Sequence, residues 1–140
     1  MLTKKRVIMI EGLSHITFIV KDIDRSSDFL KRVFEAKDVY SSGEKKHSYS
    51  KEKFFLVNGL WFAIMEGEPL SEKTYNHIAL KVSDTDLENY IKRVKSLKLD
   101  ILDDRNRING EGKSFYFYDY DNHLFELHTG TLEQRLEAYK

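Results

Sequence analysis

The chain of 140 residues contains no cysteine and only one proline, and its 23 basic residues are balanced by 23 acidic ones. Without cysteine, disulfide bonds are excluded, and any metal ion has to be bound by histidine, aspartate or glutamate. Without a basic excess or a nucleic-acid-binding motif, the sequence argues against nucleic acid as a partner. No apolar run approaches the roughly 20 residues of a membrane-spanning helix, so such a helix is excluded as well.

Composition and the N-terminal segment indicate a globular protein of the cytoplasm. Hydrophobic residues make up 41% and charged residues 33% of the chain, a balance that is typical of folded domains. Segment 1–10 has a basic start and a short apolar stretch. The stretch is too short for the core of a signal peptide, and no small-residue cleavage site follows it. We therefore interpret it as a short leader.

An internal repeat organises the rest of the sequence. The segment HITFIV at 15–20 is echoed by HIALKV at 77–82, and both have the β-branched and aromatic composition of strands. Each is followed by apolar residues at helical spacing, with Asp24 as the expected N-cap of the first helix and Ser83 or Asp84 as that of the second. Further strand patterns follow each helix, at about 39–41, 53–57 and 60–66 and at 100–102, 114–118 and 124–128.

Each half therefore predicts the order β-α-β-β-β, within a single α+β domain that covers residues 1–140. We expect module 1 at about 12–68, module 2 at about 74–130, and a short C-terminal helix at 131–139. Asn58-Gly59 is the strongest turn signal, because both residues tolerate the positive φ of a two-residue hairpin. The only proline, Pro69, lies in the linker between the two halves.

The repeat places His15 and His77 at the start of equivalent strands. A single histidine in a strand is usually structural, but two that are related by a pseudo-twofold axis are placed to share one ion. Strand alternation separates Glu126 from its apolar neighbours, and a carboxylate in such a strand is costly to bury unless it is paired or metal-bound. We therefore expect Glu126 as the third ligand, with His128 on the same face as the rival. Such a set suits manganese, iron, nickel or zinc and leaves open positions for a substrate.

Three motifs carry a resemblance to a known family: GLSHIT at 12–17, TYNH at 74–77 and GKSFYFYDYDNHLFELH at 112–128. They resemble the fosfomycin-resistance branch of the vicinal oxygen chelate (glyoxalase) superfamily, from about Gly12 to Tyr139. The SFYF stretch and the tail LEQRL at 132–136 are the parts most specific to that branch.

The resemblance implies a fold of paired βαβββ modules that form a cup around a divalent metal ion, for which we expect Mn²⁺. It also implies a homodimer with modules exchanged between chains, so that His15 of one subunit meets His77 and Glu126 of the partner subunit. The implied substrate is fosfomycin, a small epoxide phosphonate that chelates the metal through its oxirane and phosphonate oxygens.

The branch contains both thiol transferases, which use glutathione or bacillithiol, and hydrolases, which use water. The segment SKEKFF at 50–55 resembles the FosX-type hydrolases, in which a glutamate at the position of Glu52 acts as the general base. Without the resemblance, the charged run Lys51-Glu52-Lys53 favours a solvated turn. The alternatives are a thiol transferase on fosfomycin, another metal-dependent enzyme of the superfamily such as a dioxygenase, and a drug-binding protein without catalysis.

The dianionic substrate requires cationic and hydroxyl donors. The resemblance implies Ser114, Tyr116 and Arg135 as phosphonate contacts, and Arg107 and Lys113 are plausible additions. Thr17 shares the face of His15 and is placed to hydrogen-bond the epoxide oxygen, while Tyr75 and Trp61 are candidates for the cavity wall. The chain departs from the transferases at Asn106, where they have a lysine, and in the loop 109–112, which they use for a monovalent cation.

Overall fold

The computed structural model describes residues 5–45 and 47–140. The first four residues of the predicted leader lie outside the described residues. The elements, in chain order, are β1 (His15–Val20), α1 (Ile23–Phe34), β2 (Lys37–Ser41), β3 (Glu52–Val57), β4 (Leu60–Glu66), β5 (His77–Lys81), α2 (Asp84–Ser96), β6 (Ile101–Leu102), β7 (Ser114–Tyr118), β8 (Leu124–His128) and α3 (Leu132–Ala138). The α+β fold with the order β-α-β-β-β in each half is therefore confirmed. No helix among the described residues is long and apolar enough to span a membrane.

The two halves form two four-stranded sheets with equivalent topology. The strand order is β1-β4-β3-β2 in the first sheet and β5-β8-β7-β6 in the second. In each sheet the first strand pairs in parallel with the last strand of its module, β1 with β4 and β5 with β8, and the other pairs are antiparallel. The repeat in the sequence is therefore a repeat in hydrogen-bonding pattern.

The start of α1 corrects one expectation from the sequence. Asp22, rather than Asp24, is the N-cap, and its Oδ1 accepts the backbone N–H of Arg25 at 3.0 Å. Asp24 lies in the first turn, where its negative charge favours the N-terminal end of the helix dipole. Both aspartates suit a helix start, so local sequence did not separate the two positions. The second helix is capped by Ser83, one of the two residues expected there.

Asn58-Gly59 forms the predicted hairpin between β3 and β4. Their φ values are 45° and 82°, which are the left-handed values that a two-residue turn of this kind requires. The turn fixes the antiparallel register of β3 on β4 and places Glu52 opposite Met65 at the far end of the pair. It therefore fixes where Glu52 lies on the sheet.

Helices α1 and α2 form the main core together with one face of each sheet. In this core Phe29, Val33, Phe62, Phe117 and Phe125 are almost fully buried. Because side chains alternate along a strand, the core residues place their sequence neighbours on the opposite face. The first sheet thereby presents His15, Thr17 and Glu52 away from the core, and the second presents His77, Ser114, Tyr116, Glu126 and His128.

Candidate metal and anion site

His77 and Glu126 lie close together on the outer face of the second sheet. Nε2 of His77 is 2.9 Å from Oε1 of Glu126. Nδ1 of His77 is 2.6 Å from the carbonyl oxygen of Tyr75. Because a carbonyl only accepts, Nδ1 carries a hydrogen and donates it to Tyr75, and this bond orients the ring with Nε2 facing the carboxylate. A histidine oriented through its second ring nitrogen, with a carboxylate beside it, is an arrangement that could hold a metal ion.

Glu126 is buried, with 4% of its surface exposed, and its second oxygen is occupied by protein donors. The hydroxyl of Ser114 donates to Oε2 at 2.5 Å, and Nη2 of Arg107 lies 3.5 Å from the same oxygen. Burial raises the pKa of Glu126, but the hydrogen bonds from the Ser114 and Tyr116 hydroxyls outweigh it and leave the pKa below its ordinary value. The carboxylate is therefore ionised, with Oε1 directed at His77.

His128, the rival ligand, is engaged through both ring nitrogens. Its Nδ1 is 2.6 Å from Oγ of Ser114, and its Nε2 is 3.4 Å from Nη2 of Arg135. Since the Ser114 hydroxyl donates to Glu126, Nδ1 of His128 is the donor to Ser114 and Nε2 accepts from the guanidinium. Burial lowers the pKa of His128 and so favours this neutral ring. The geometry favours Glu126 over His128 as the ligand.

His15 lies on the other sheet. Its ring stacks on Trp61 at 4.1 Å between centroids, and Nδ1 is 3.0 Å from Oγ of Ser14. Within the described ranges, 5–45 and 47–140, no three histidine, aspartate or glutamate side chains converge on a point that could hold a metal ion. We refer to His15 on the first sheet and to the His77–Glu126 pair on the second as the two half-sites of the candidate metal site.

Glu52 shares the outer face of the first sheet with Thr17 and His15. It is 9% exposed, its backbone N–H donates to Oγ of Ser42 at 3.0 Å, and its carboxylate has no hydrogen bond or ion pair with another residue of the described ranges. The adjacent Lys51 instead pairs with Glu44, at 3.2 Å. The position is therefore a buried strand end, which does not support the alternative of a solvated turn.

Arg107 is held firmly beside the carboxylate of Glu126, with 11% of its side chain exposed. Its Nε lies 3.1 Å from both carboxylate oxygens of Asp104, and its Nη2 donates to the Tyr116 oxygen at 2.9 Å. The hydroxyl of Tyr75 also donates to Tyr116, at 3.0 Å. Burial and the bond from Tyr75 raise the pKa of Tyr116, so its hydroxyl stays neutral. The structure thus brings Arg107, Tyr116 and Tyr75 together at the His77–Glu126 half-site.

The two remaining cationic candidates lie in different places. Arg135, on α3, reaches the sheet through its contact with His128. Lys113 precedes β7 and is turned the other way, with 74% of its side chain exposed and Nζ 3.8 Å from Asp84 at the start of α2. The structure therefore brings Arg135 to the cluster and does not bring Lys113 there.

The structure adds a group that the sequence analysis missed. Glu111 is completely buried beneath this cluster and contacts three arginines. In the sequence it stands between two glycines in a polar loop, so neither periodicity nor charge pattern marks it as buried.

Comparisons with known proteins show what this chain is similar to. Residues 12–127 match the Glyoxalase/Bleomycin resistance protein/Dioxygenase superfamily. The fosfomycin resistance protein FosX of Listeria innocua is 59% identical over 131 residues, which are 94% of this chain and 98% of that protein. The metallothiol transferase FosB of Staphylococcus epidermidis is 39% identical over 136 residues, which are 94% of this chain and 93% of that protein. A solved structure of a FosX variant from Listeria monocytogenes is complexed with Mn(II) and 1S,2S-dihydroxypropylphosphonic acid. It superposes on this chain with a TM-score of 0.86 at 55% identity, and the match covers 94% of this chain and 100% of that chain.

Proposed function

The chain belongs to the Glyoxalase/Bleomycin resistance protein/Dioxygenase superfamily and, within it, to the fosfomycin resistance protein FosX family, and we propose that it is a manganese-dependent hydrolase. The enzyme would add water to the epoxide of fosfomycin and so confer resistance to the antibiotic. The observation that carries this proposal is the ligand of the related FosX variant. Dihydroxypropylphosphonic acid is the vicinal diol that forms when water opens the epoxide of fosfomycin. The lower identity to FosB makes a thiol transferase the second candidate.

His15, His77 and Glu126 are the proposed metal ligands. Two imidazole nitrogens and one carboxylate oxygen suit Mn²⁺ and leave positions open for substrate oxygens. Nε2 of His77 and Oε1 of Glu126 lie 2.9 Å apart, so one imidazole nitrogen and one carboxylate oxygen stand side by side as candidate donors to a cation. When bound, the metal ion supplies Lewis-acid polarisation of the epoxide oxygen.

The proposed active form is a homodimer with modules exchanged between chains. His15 of one subunit would complete the site with His77 and Glu126 of the partner subunit. The separation of the two half-sites within one described chain supports this arrangement. The outer face of the first sheet, which carries Glu52 and Thr17, would then close over the outer face of the second.

Glu52 is the proposed general base and Thr17 the proposed donor to the epoxide oxygen. A buried carboxylate that no other described residue occupies is available to take the proton from water as the water attacks carbon. The hydroxyl of Thr17, exposed on the same sheet face, is available as a hydrogen-bond donor to the oxygen that leaves the ring carbon. Both would act on a substrate whose phosphonate is held by the second sheet.

Arg107, Arg135, Tyr116, Ser114 and Tyr75 are the proposed phosphonate site. All three nitrogens of Arg107 contact protein acceptors, Nε with Asp104, Nη1 with Glu111 and Nη2 with Tyr116, and these contacts fix its guanidinium beside Glu126 at the open face. The Ser114 hydrogen is used by Glu126, so Ser114 would contact the phosphonate only after rotation of its hydroxyl. Lys113 stays a prediction that the observed position does not favour.

We further propose that the enzyme acts in the cytoplasm on this small substrate, without a nucleic-acid or membrane partner. The support for the absence of a nucleic-acid partner is the balance of 23 basic and 23 acidic residues.

The test is phosphorus NMR of fosfomycin incubated with the protein and Mn²⁺ in the absence of any thiol. We expect the fosfomycin resonance to be replaced by that of the diol, and a chelator to stop the conversion. Conversion that occurs only after glutathione or bacillithiol is added would identify the thiol transferase instead. No conversion under either condition would contradict both candidates.

A further inference from the structure

Glu111 lies in the loop between β6 and β7 and has no exposed surface. Its Oε1 accepts hydrogen bonds from the guanidinium of Arg105, from the Tyr139 hydroxyl at 2.5 Å and from Nη1 of Arg107 at 3.0 Å. Its Oε2 accepts the backbone N–H of Ile108 at 3.2 Å. A carboxylate is costly to bury unless it is paired and hydrogen-bonded, and this one is satisfied at both oxygens.

A close backbone contact fixes the loop beneath α3. Gly112 has a φ of +94°, and a Cβ added to it would lie 2.8 Å from the backbone nitrogen of Gly130. Any side chain at Gly112 would therefore push the loop away from the segment that leads into α3. The contact brings Oε1 of Glu111 to 3.8 Å from Nε of Arg135, on that helix. One carboxylate thus contacts arginines of two different elements.

Arg107 and Arg135 each turn one edge to Glu111 and the other to the open sheet face. Arg107 uses Nη1 for Glu111 and Nη2 for Tyr116. Arg135 directs Nε at Glu111 and Nη2 at His128. Two guanidinium groups converging on one place repel each other, and a carboxylate in contact with both offsets that repulsion while Nη2 of each stays directed at the sheet face.

We propose that Glu111 is a positioning residue that sets Arg107 and Arg135 in the orientation in which they bind a dianionic phosphonate. This inference rests on the proposed function for the identity of the anion. A hydrophobic side chain of similar volume would fill the same space without the free-energy cost of burying a charge. Packing alone therefore does not account for a carboxylate at this position.

The hydrogen bond from Arg105 holds the pKa of Glu111 well below its usual range. The carboxylate is therefore charged throughout the pH range in which the enzyme would work. Its effect on the two arginines is then constant rather than switched by pH.

The experiment compares Glu111→Gln, which keeps size but removes the charge, with the matched control Glu137→Gln. Glu137 lies on α3, is 75% exposed and pairs only with Lys140 in the described ranges. Methylphosphonate is titrated into the Mn²⁺-loaded protein by calorimetry, and Mn²⁺ affinity is measured separately. For Glu111→Gln we expect methylphosphonate affinity to fall about tenfold or more with Mn²⁺ affinity within about twofold of wild type, since an oriented charge-assisted contact is lost.

Steady-state kinetics with fosfomycin should likewise show an effect on binding and little effect on turnover. Glu111→Gln should raise KM about tenfold and change kcat by less than about threefold, because binding common to the ground state and the transition state is lost. Glu111→Asp retains the charge and should recover part of the affinity. Glu137→Gln should match wild type in both measurements.

Wild-type methylphosphonate affinity in Glu111→Gln would overturn the inference. A parallel loss of Mn²⁺ affinity, phosphonate affinity and thermal stability would also overturn it, because it would identify a purely structural role. If Glu111→Gln does not fold, Tyr139→Phe removes one donor to the carboxylate at a half-exposed position and should weaken methylphosphonate binding by about twofold to fivefold. A wild-type protein that binds methylphosphonate without hydrolysing fosfomycin would contradict the proposed function and leave the affinity test of Glu111 intact.

Discussion

Nε2 of His77 lies 2.9 Å from Oε1 of Glu126, while its Nδ1–H donates to the Tyr75 carbonyl. The parallel register of β5 on β8 causes this proximity, because it places Ala79 opposite Glu126 and leaves His77 diagonal to it on the same face. The fold of one chain therefore brings together two of the three proposed metal ligands.

Loss of any proposed ligand should abolish Mn²⁺-dependent hydrolysis. We expect His15→Ala, His77→Ala and Glu126→Ala each to lose Mn²⁺ binding in titrations and fosfomycin turnover by phosphorus NMR, with an unchanged far-UV circular dichroism spectrum. His128→Ala should retain Mn²⁺, because both nitrogens of His128 are engaged by Ser114 and Arg135. An inactive His128→Ala variant beside an active Glu126→Ala variant would show that the third ligand is misassigned.

Module exchange predicts complementation between inactive subunits. A heterodimer of His15→Ala and Glu126→Ala chains has both defects in one site and a complete ligand set in the other. After subunit exchange, a mixture of the two inactive homodimers should therefore recover up to about one quarter of wild-type activity if subunits pair at random, as the symmetry of a two-site dimer requires. Each variant alone, carried through the same exchange, is the control. An active species that sedimentation shows to be monomeric would contradict the exchange.

Arg135→Ala should weaken substrate binding more than it slows turnover. Its guanidinium is held at the edge of the cluster by His128 and Glu111, and it would bind the phosphonate in both the ground state and the transition state. We expect KM for fosfomycin to rise roughly tenfold to a hundredfold with a smaller change in kcat. Arg93→Ala is the matched control, because Arg93 pairs with Glu35 on the helices. An unchanged KM would indicate that Arg107, rather than Arg135, binds the phosphonate.

The sequence predicted features that depend on local pattern and missed one that depends on tertiary contacts. Strand alternation correctly separated Glu126 from the core-facing Phe125 and Leu127, since it needs only neighbouring residues. The helix cap was misplaced by two residues because Asp22 and Asp24 have the same propensity. Glu111 was missed because one of its donors, Tyr139, lies far along the chain, beyond β8.

The depressed pKa of Glu111 predicts an acid dependence of stability. A carboxyl group with a folded-state pKa below its unfolded value contributes stability that is complete above about pH 4.3 and is lost as pH falls through the folded-state pKa. The free energy of unfolding of the wild-type protein should therefore fall more steeply below that pH than that of Glu111→Gln. Urea unfolding at a series of pH values between neutral and acid measures both slopes. Parallel slopes would mean that Glu111 is not linked to acid unfolding.

Glu52→Gln should slow hydrolysis while leaving both binding functions in place. Water that attacks an epoxide carbon loses a proton as the new bond forms, and a glutamine of the same size and shape does not accept it. General-base assistance typically contributes about 10²–10⁴-fold, so we expect kcat to fall by roughly that factor. Affinities for Mn²⁺ and methylphosphonate should persist, because Glu52 is neither a proposed metal ligand nor a proposed phosphonate contact.

The nearly buried position of Glu52, without a protein partner in the described ranges, separates it from its charged neighbours as a candidate base. Lys51→Gln is the matched control, because Lys51 pairs with Glu44 at the surface and its loss should leave kcat unchanged. Added thiol should restore some conversion of fosfomycin in this variant, because a thiolate attacks without a base. Wild-type hydrolysis by Glu52→Gln would show that another group, or water alone, takes the proton, and the assignment of Glu52 would have to be abandoned.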